Sequence, residues 1–136
     1  MRKDVLPLFK TSIGDEEIKE VVTTLKSGWL TTGHLTKKFE EDFSKYVGAK
    51  HSTGVINCTT GLFMSLIASE ITPGSEVITT PLTWCATANV IEQLNLKTVF
   101  ADVDKKTGCI DPEEIRKKIT DKTKAIIPVH FAGQPC

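Results

Sequence analysis

A chain of 136 residues is the length of one domain and can bury roughly two thirds of the surface its unfolded form exposes. Lys plus Arg and Asp plus Glu balance at 17 each, so no overall field favours a nucleic acid or an anionic membrane, and any anion site must be local. The apolar runs are too short to span a bilayer, and the opening MRKDVLPLFK lacks the apolar stretch of a signal peptide, so a cytoplasmic protein is expected.

In chain order, Ile18, Val21, Val22 and Leu25 recur at helical spacing after the acidic GDEE and stop at Gly28, which predicts a first helix. Leu35, Phe39, Phe43, Tyr46 and Val47 repeat the pattern, with Gly48 placed as a helix-ending glycine. From there the period alternates. A strand is expected at TGVIN, a helix over 60–70, a strand at EVITT and a helix near 84–94. A strand at KTVFADV, a helix from Pro112 to Ile119 and a strand at KAIIPV complete the series. Asp111, Pro112 and Glu114 supply a capping residue, a first-turn proline and a capping-box glutamate to the last helix.

Four strands separated by three helices, each strand nearly all apolar, predict an α/β fold with a mostly parallel sheet in αβα layers. The organisation reads as a helical segment of about 1–50 followed by βα alternation over about 51–136. The last strand has no helix after it to cover it, so the sequence reads as the front portion of something longer, with an exposed apolar face.

Several chemistries drop out. Cys58, Cys85, Cys109 and Cys136 never form CxxC or pair with a nearby His, so reduced and mostly buried thiols are expected rather than a metal or redox motif. His34, His51 and His130 are scattered, and HExxH and GxSxG are absent.

In a parallel α/β sheet, ligands bind beyond the carboxyl ends of the strands. The polar loops Asn57 to Gly61, Thr79 to Trp84, Asp102 to Asp104 and His130 to Gln134 are all expected there. The first joins a strand directly to a helix, leaving unpaired N–H groups and the positive end of the helix dipole, an arrangement that holds a phosphate. Thr59 and Thr60 add hydroxyls; the competing reading is a Thr-capped helix start with nothing bound. Neither GxGxxG nor GxxxxGK[ST] is present. Trp84 is placed either to lay its indole on a flat ring held by the phosphate or to fill the core under a loop. A phosphate cup beside a stacking aromatic is what pyridoxal phosphate needs.

The runs SGWLTTG, FEEDFSKYVGAKHSTGVINCTTGLFMSL, PGSEVITTPLTWCATANVI and VFADVDKKTGCIDPEEIRKKITDKTKAIIPVHFAGQP resemble the N-terminal part of the DegT/DnrJ/StrS-type sugar aminotransferases. These are pyridoxal-phosphate enzymes of fold type I, and within them the chain is most similar to the 4-amino-4-deoxyarabinose type. The resemblance implies a partial large domain in which Thr59 and Thr60 hold the cofactor phosphate and Trp84 stacks on the pyridine ring. The family often has Asn-Gly-Thr where this chain has Asn57, Cys58 and Thr59, so Cys58 is a departure at the turn. Thr31 and Thr32 become candidate contacts of a nucleotide-sugar substrate, against the alternative of a simple connecting loop. His130 either faces the site or caps the last strand.

The resemblance further implies an amino donor, glutamate, a keto sugar nucleotide acceptor and a homodimer, with no metal. The lysine that bonds the cofactor and the carboxylate that protonates its ring nitrogen follow HFAGQP in that family, so no catalytic residue is assigned and the chain alone is expected to be inactive. Some relatives replace that lysine by histidine and dehydrate the sugar instead. A non-catalytic binding or dimerisation module of the same descent is the alternative of a different class.

Overall fold

The computed structural model describes residues 10–136; the signal-peptide reading and the start of the expected N-terminal segment fall on residues outside that range. It contains two compact units, one ending at Gly54 and the other Val55–Cys136.

The first unit carries helices α1 (Asp15–Ser27) and α2 (His34–Val47). Three acidic residues, Asp15, Glu16 and Glu17, sit in the first turn of α1, where the dipole favours them. The Gly14 N–H donates to Glu17 Oε2 at 2.6 Å, which holds that carboxyl below its ordinary range. Both helices end on a glycine in the left-handed region, Gly28 at φ 72° and Gly48 at φ 70°. Their apolar stripes, Ile18 to Leu25 and Leu35 to Val47, remain exposed. After α2 the chain is fastened back by the Gly54 N–H, which donates to Glu40 Oε1 at 2.7 Å, and by the Ser44 and Ser52 hydroxyls at 2.8 Å.

The second unit contains α3 (Cys58–Ala68), β1 (Glu76–Thr79), α4 (Ala86–Gln93), β2 (Lys97–Phe100), α5 (Pro112–Lys118) and β3 (Thr123–Ile127). The strands form an all-parallel sheet in the order β2-β1-β3. Central strand β1 is buried along its whole length, and its alternate side chains enter different clusters. Val77 packs with Leu66 of α3, Val90 and Ile91 of α4, and Leu96. Ile78 packs with Ala101 and Ile110, joined by Val99 and Ile115 of α5. The result is α/β, with α3 and α4 on one face of β1 and α5 on the other.

The expected strand at TGVIN does not form. Among the described residues its backbone makes no ladder hydrogen bond, and Ile56 is 88% exposed. An apolar run becomes a strand only beside a partner strand, and the sheet has three strands, not four. The expected helix at 60–70 begins earlier, at Cys58, because Asn57 rather than a threonine caps it.

The amino ends of the strands are tied by one buried carboxylate. Glu76 at the start of β1 accepts from the Thr120 hydroxyl at 2.7 Å and from Lys97 Nζ at the start of β2 at 2.9 Å. Its backbone N–H donates to the Lys122 carbonyl just before β3 at 2.8 Å. The Thr120 hydroxyl first, and Lys97 second, hold the Glu76 carboxyl below its ordinary range.

Two outcomes follow. Ile78→Ala removes a fully buried side chain and should cost about 2–5 kcal/mol in denaturant unfolding. A carboxylate whose folded value is lowered contributes its full stability above the ordinary glutamate value of about 4.3 and loses it as pH falls through the folded value. Glu76→Gln should therefore show a smaller drop in unfolding midpoint than the parent chain between neutral pH and the acid limb; equal drops would show that Glu76 carries no pH-linked stability.

Candidate functional site

Because the three strands are parallel, their carboxyl ends lie on one side of the sheet, and the turns after β1 and β3 meet there, whereas the loop Asp102 to Asp104 after β2, expected at the same site, does not line it. A cavity of about 340 Å³ opens at this edge, within the usual range of small-molecule sites. Its wall comes from three places: Cys58, Thr59 and Leu62 at the start of α3, Thr83, Trp84 and Thr87 after β1, and Ile127 to Val129 at the end of β3.

The start of α3 can be followed donor by donor. Asn57 lies in extended backbone, and its Oδ1 accepts from the Thr60 N–H at 2.9 Å. Its carbonyl accepts from the Gly61 N–H at 3.1 Å. Among the described residues this leaves the N–H groups of Cys58 and Thr59, with the hydroxyls of Thr59 and Thr60, without partners in the chain. Thr60 therefore offers its hydroxyl and not its amide, which the cap already holds.

Trp84 is 80% exposed and lines the same cavity as Thr59, so it is not a core residue. The turn that presents it rests on the fully buried Thr79 and Thr80. The Thr79 hydroxyl donates to the Ile127 carbonyl at 2.8 Å, and Thr80 Oγ1 accepts from the Leu82 N–H at 3.1 Å. Thr83 and Thr87 place their hydroxyls 3.3 Å apart beside it. Lining residues Leu62, Thr87 and Pro128 escaped the sequence reading, whereas Thr83 lies in the loop Thr79 to Trp84 that it marked.

The other candidates lie elsewhere. His130 is exposed, and its Nδ1 accepts from the Cys136 N–H at 3.1 Å; Pro128 and Val129 line the cavity but His130 does not. Thr31 and Thr32 belong to the first unit. Thr31 lines a smaller recess with Trp29 and His34, and the Thr32 carbonyl accepts from Trp29 Nε1 at 3.2 Å. The indole of Trp29 lies so close to Gly33 that a Cβ there would sit 2.4 Å from its Nε1, so this loop requires a glycine.

The expectation of mostly buried thiols is corrected: Cys109 is buried, whereas Cys58, Cys85 and Cys136 are exposed. Cys58 opens α3 and Cys85 immediately precedes α4, so both lie at helix starts on the surface rather than in the core. No group of His, Cys, Asp or Glu suited to a metal occurs among the described residues, and no described helix is long and apolar enough to cross a membrane.

Residues 11–136 match the DegT/DnrJ/EryC1/StrS aminotransferase family. The chain belongs to this family. It is 53% identical over 136 residues to an uncharacterized protein of Methanocaldococcus jannaschii, covering all of this chain and 35% of the relative. It is 49% identical over 135 residues to the spore coat polysaccharide biosynthesis protein SpsC of Bacillus subtilis, covering 99% of this chain and 35% of that protein. The chain thus spans about a third of the length of these relatives. Among solved structures it resembles Spr1654 of Streptococcus pneumoniae, described as a sugar aminotransferase and solved in a PLP form, at 37% identity and a TM-score of 0.87, covering 96% of this chain and 33% of that one. It also resembles the E. coli GDP-4-keto-6-deoxy-D-mannose-3-dehydratase solved with hydrated PLP, at 31% identity and a TM-score of 0.83, covering 91% and 33%.

Removing the Asn57 cap isolates the local energetics of this DegT/DnrJ/EryC1/StrS turn. Asn57→Ala should destabilise the second unit by about 0.5–2 kcal/mol, and Asn57→Asp, which keeps an acceptor, should restore most of that. Thermal unfolding of the two variants is the measurement.

Proposed function

We propose that this chain supplies the phosphate cup and the ring-stacking face of a pyridoxal 5'-phosphate site, in an enzyme that transfers an amino group from glutamate to a keto sugar nucleotide. The observation that carries the reading is the single cavity joining the open start of α3 to the exposed indole of Trp84. The donor set fits the group: two unpartnered N–H groups at a positive helix end, the Thr59 hydroxyl with that of Thr60 next to it in the chain, and no carboxylate among the lining residues suit a phosphate monoester. The indole beside them suits a flat heteroaromatic ring.

In this reading the Cys58 and Thr59 amides and the Thr59 and Thr60 hydroxyls fix the phosphate, and Trp84 sets the plane of the ring. Leu62, Ile127 and Pro128 form the apolar wall that excludes water. When bound, the cofactor supplies a protonated pyridine that draws electrons from a carbon losing its proton. No lysine lines the cavity among the described residues, so the group that bonds the cofactor and moves that proton is proposed to come from outside this chain. Thr31, Thr32 and His130 remain proposed contacts of the nucleotide sugar. A cytoplasmic homodimer acting on a 4-keto sugar for surface polysaccharide is the fuller form of the proposal; the name of SpsC supports its last part.

A second reading rests on the similarity to the E. coli dehydratase: the same cup serving removal of a hydroxyl from the sugar rather than transfer of an amine. In the whole enzyme, incubation with glutamate and keto sugar nucleotides separates the two. A nitrogen-bearing sugar product supports transfer; a deoxygenated sugar without nitrogen supports the dehydratase.

Pyridoxine 5'-phosphate and pyridoxine test the cup in this chain, because neither has an aldehyde to condense with lysines. Quenching of tryptophan fluorescence should show the phosphorylated form binding at least about tenfold more tightly. Thr59→Ala with Thr60→Ala should erase most of that preference, and Trp84→Ala should weaken both ligands. A preference unchanged in the double variant would overturn the phosphate assignment, and unchanged affinity in Trp84→Ala would overturn the stacking role. The chain alone should release no 2-oxoglutarate from glutamate and keto sugar nucleotides above the background of free cofactor. Turnover abolished by replacing one of its lysines would show that the catalytic group lies within it.

A further inference from the structure

Cys109 and Cys136 are far apart in sequence, but the turns around them pack together. Residues 103–110 form a tight hairpin closed by the Val103 and Ile110 bridge and by the Asp104 N–H, which donates to the Cys109 carbonyl at 2.9 Å. Gly108 at its tip has φ 71°, and a Cβ there would lie 2.9 Å from Phe131 Cδ1, so the ring of Phe131 rests directly on the hairpin backbone. The buried Cys109 thiol donates to the Gln134 carbonyl at 3.2 Å. In return the chain after β3 folds back on itself: the Cys136 N–H donates to His130 Nδ1 at 3.1 Å, and the Cys136 thiol donates to the Val129 carbonyl at 3.0 Å. The Cys109 thiol thus bonds a carbonyl only two residues before Cys136, so both thiols belong to the contact between the hairpin and the segment after β3. Cys136 is exposed, and its thiol is held by the Val129 carbonyl.

We propose that Cys109 and Cys136 form a reversible dithiol–disulfide pair that fastens the segment after β3 to the hairpin before α5. Neither thiol lines the cavity, and the other two cysteines sit at the starts of α3 and α4. The oxidant is a hydroperoxide. The sulfur of Cys136, the more accessible residue, attacks one peroxide oxygen; an S–O bond forms, the O–O bond breaks and water leaves, giving a sulfenic acid. The Cys109 sulfur then attacks that sulfur; the S–S bond forms, the S–O bond breaks, and a second water carries away the Cys109 proton. Two thiols and one hydrogen peroxide thus become one disulfide and two waters, and a small dithiol reverses the change. Burial and the adjacent Cys109 thiol push the Cys136 thiol above its ordinary value, which slows its attack on the peroxide. The consequence reaches the cavity, because Val129 is both a lining residue and the acceptor of the Cys136 thiol. Oxidation replaces the two S–H hydrogen bonds with a covalent tie at the rim.

The test treats the folded chain with excess hydrogen peroxide, blocks remaining thiols with iodoacetamide and maps the tryptic peptides. The expected product is lighter by about 2 Da before alkylation, with a link joining peptides 107–116 and 125–136. Oxygen added at Cys136 without that link, or a link through Cys58 or Cys85, would overturn the proposal. So would equal yield from the chain in denaturant, which would show that the fold does not bring the thiols together. Cys109→Ser should let a dimedone-trapped sulfenic acid accumulate at Cys136 severalfold above the parent chain, and an equal amount would remove Cys109 from the resolving role. The surface change Cys136→Ser should leave Cys109 reduced under the same treatment; its oxidation there would overturn the order of attack.

Discussion

The burial of β1 on both faces governs the second unit. Val77 and Ile78 are adjacent and point to opposite sides of the sheet, yet neither is accessible to solvent. A strand of this kind needs a layer on each face, and α3 with α4 on one side and α5 on the other provide them. Helices on both faces require crossover connections, and crossover connections make the strands parallel. The shared direction of the carboxyl ends, and with it the place of the cavity, follows from two buried aliphatic side chains.

The two ends of the sheet then do different work. At the amino ends one carboxylate takes the Thr120 hydroxyl and the Lys97 ammonium together, linking the starts of three strands. At the carboxyl ends the turns are held from beneath by Thr79 and Thr80, while donors at the start of α3 are left open. Asn57 is central to that division. Its side chain and carbonyl satisfy two of the first helical amides and leave two, on residues that line the cavity, without a partner among the described residues. A cap that satisfied all of them would have closed the site.

Cys58 and Trp84 both lie outside the core, on the wall of the cavity. Cys58 is an ordinary first helical residue, so its backbone N–H has no partner within the helix. Trp84, set after a proline turn at the surface, keeps its indole free because Val90 and Ile91 of the following helix fill the core in its place. The apolar stripes of α1 and α2, exposed in the first unit, are the other feature of this kind: amphipathic helices whose apolar faces no described neighbour buries.

Local rules made much of this legible in advance. Helix ends at Gly28 and Gly48, and the Asp111 and Pro112 start of α5, depend on backbone conformations available to only a few residue types, so they could be read from single positions. The α/β class followed from period alone, and the resemblance carried by GWLTTG, INCTTG and PLTW pointed to the family and to Thr59, Thr60 and Trp84. What failed depended on partners distant in sequence. TGVIN has strand composition, but strand formation requires a neighbouring ladder, which its residues cannot specify. The exposure of Cys58 and Cys85, and the contact of Cys109 with the segment that carries Gln134, likewise rest on which segments folding gathers together. The sequence by itself determined where helices start and stop, the fold class and the family, because those are encoded in short windows and quoted motifs. Only the tertiary structure decided that Asn57 holds the amide of Thr60, that Trp84 opens to the same cavity as Thr59, and that His130 turns toward Cys136 instead, because each depends on contacts between segments that the chain brings together only on folding.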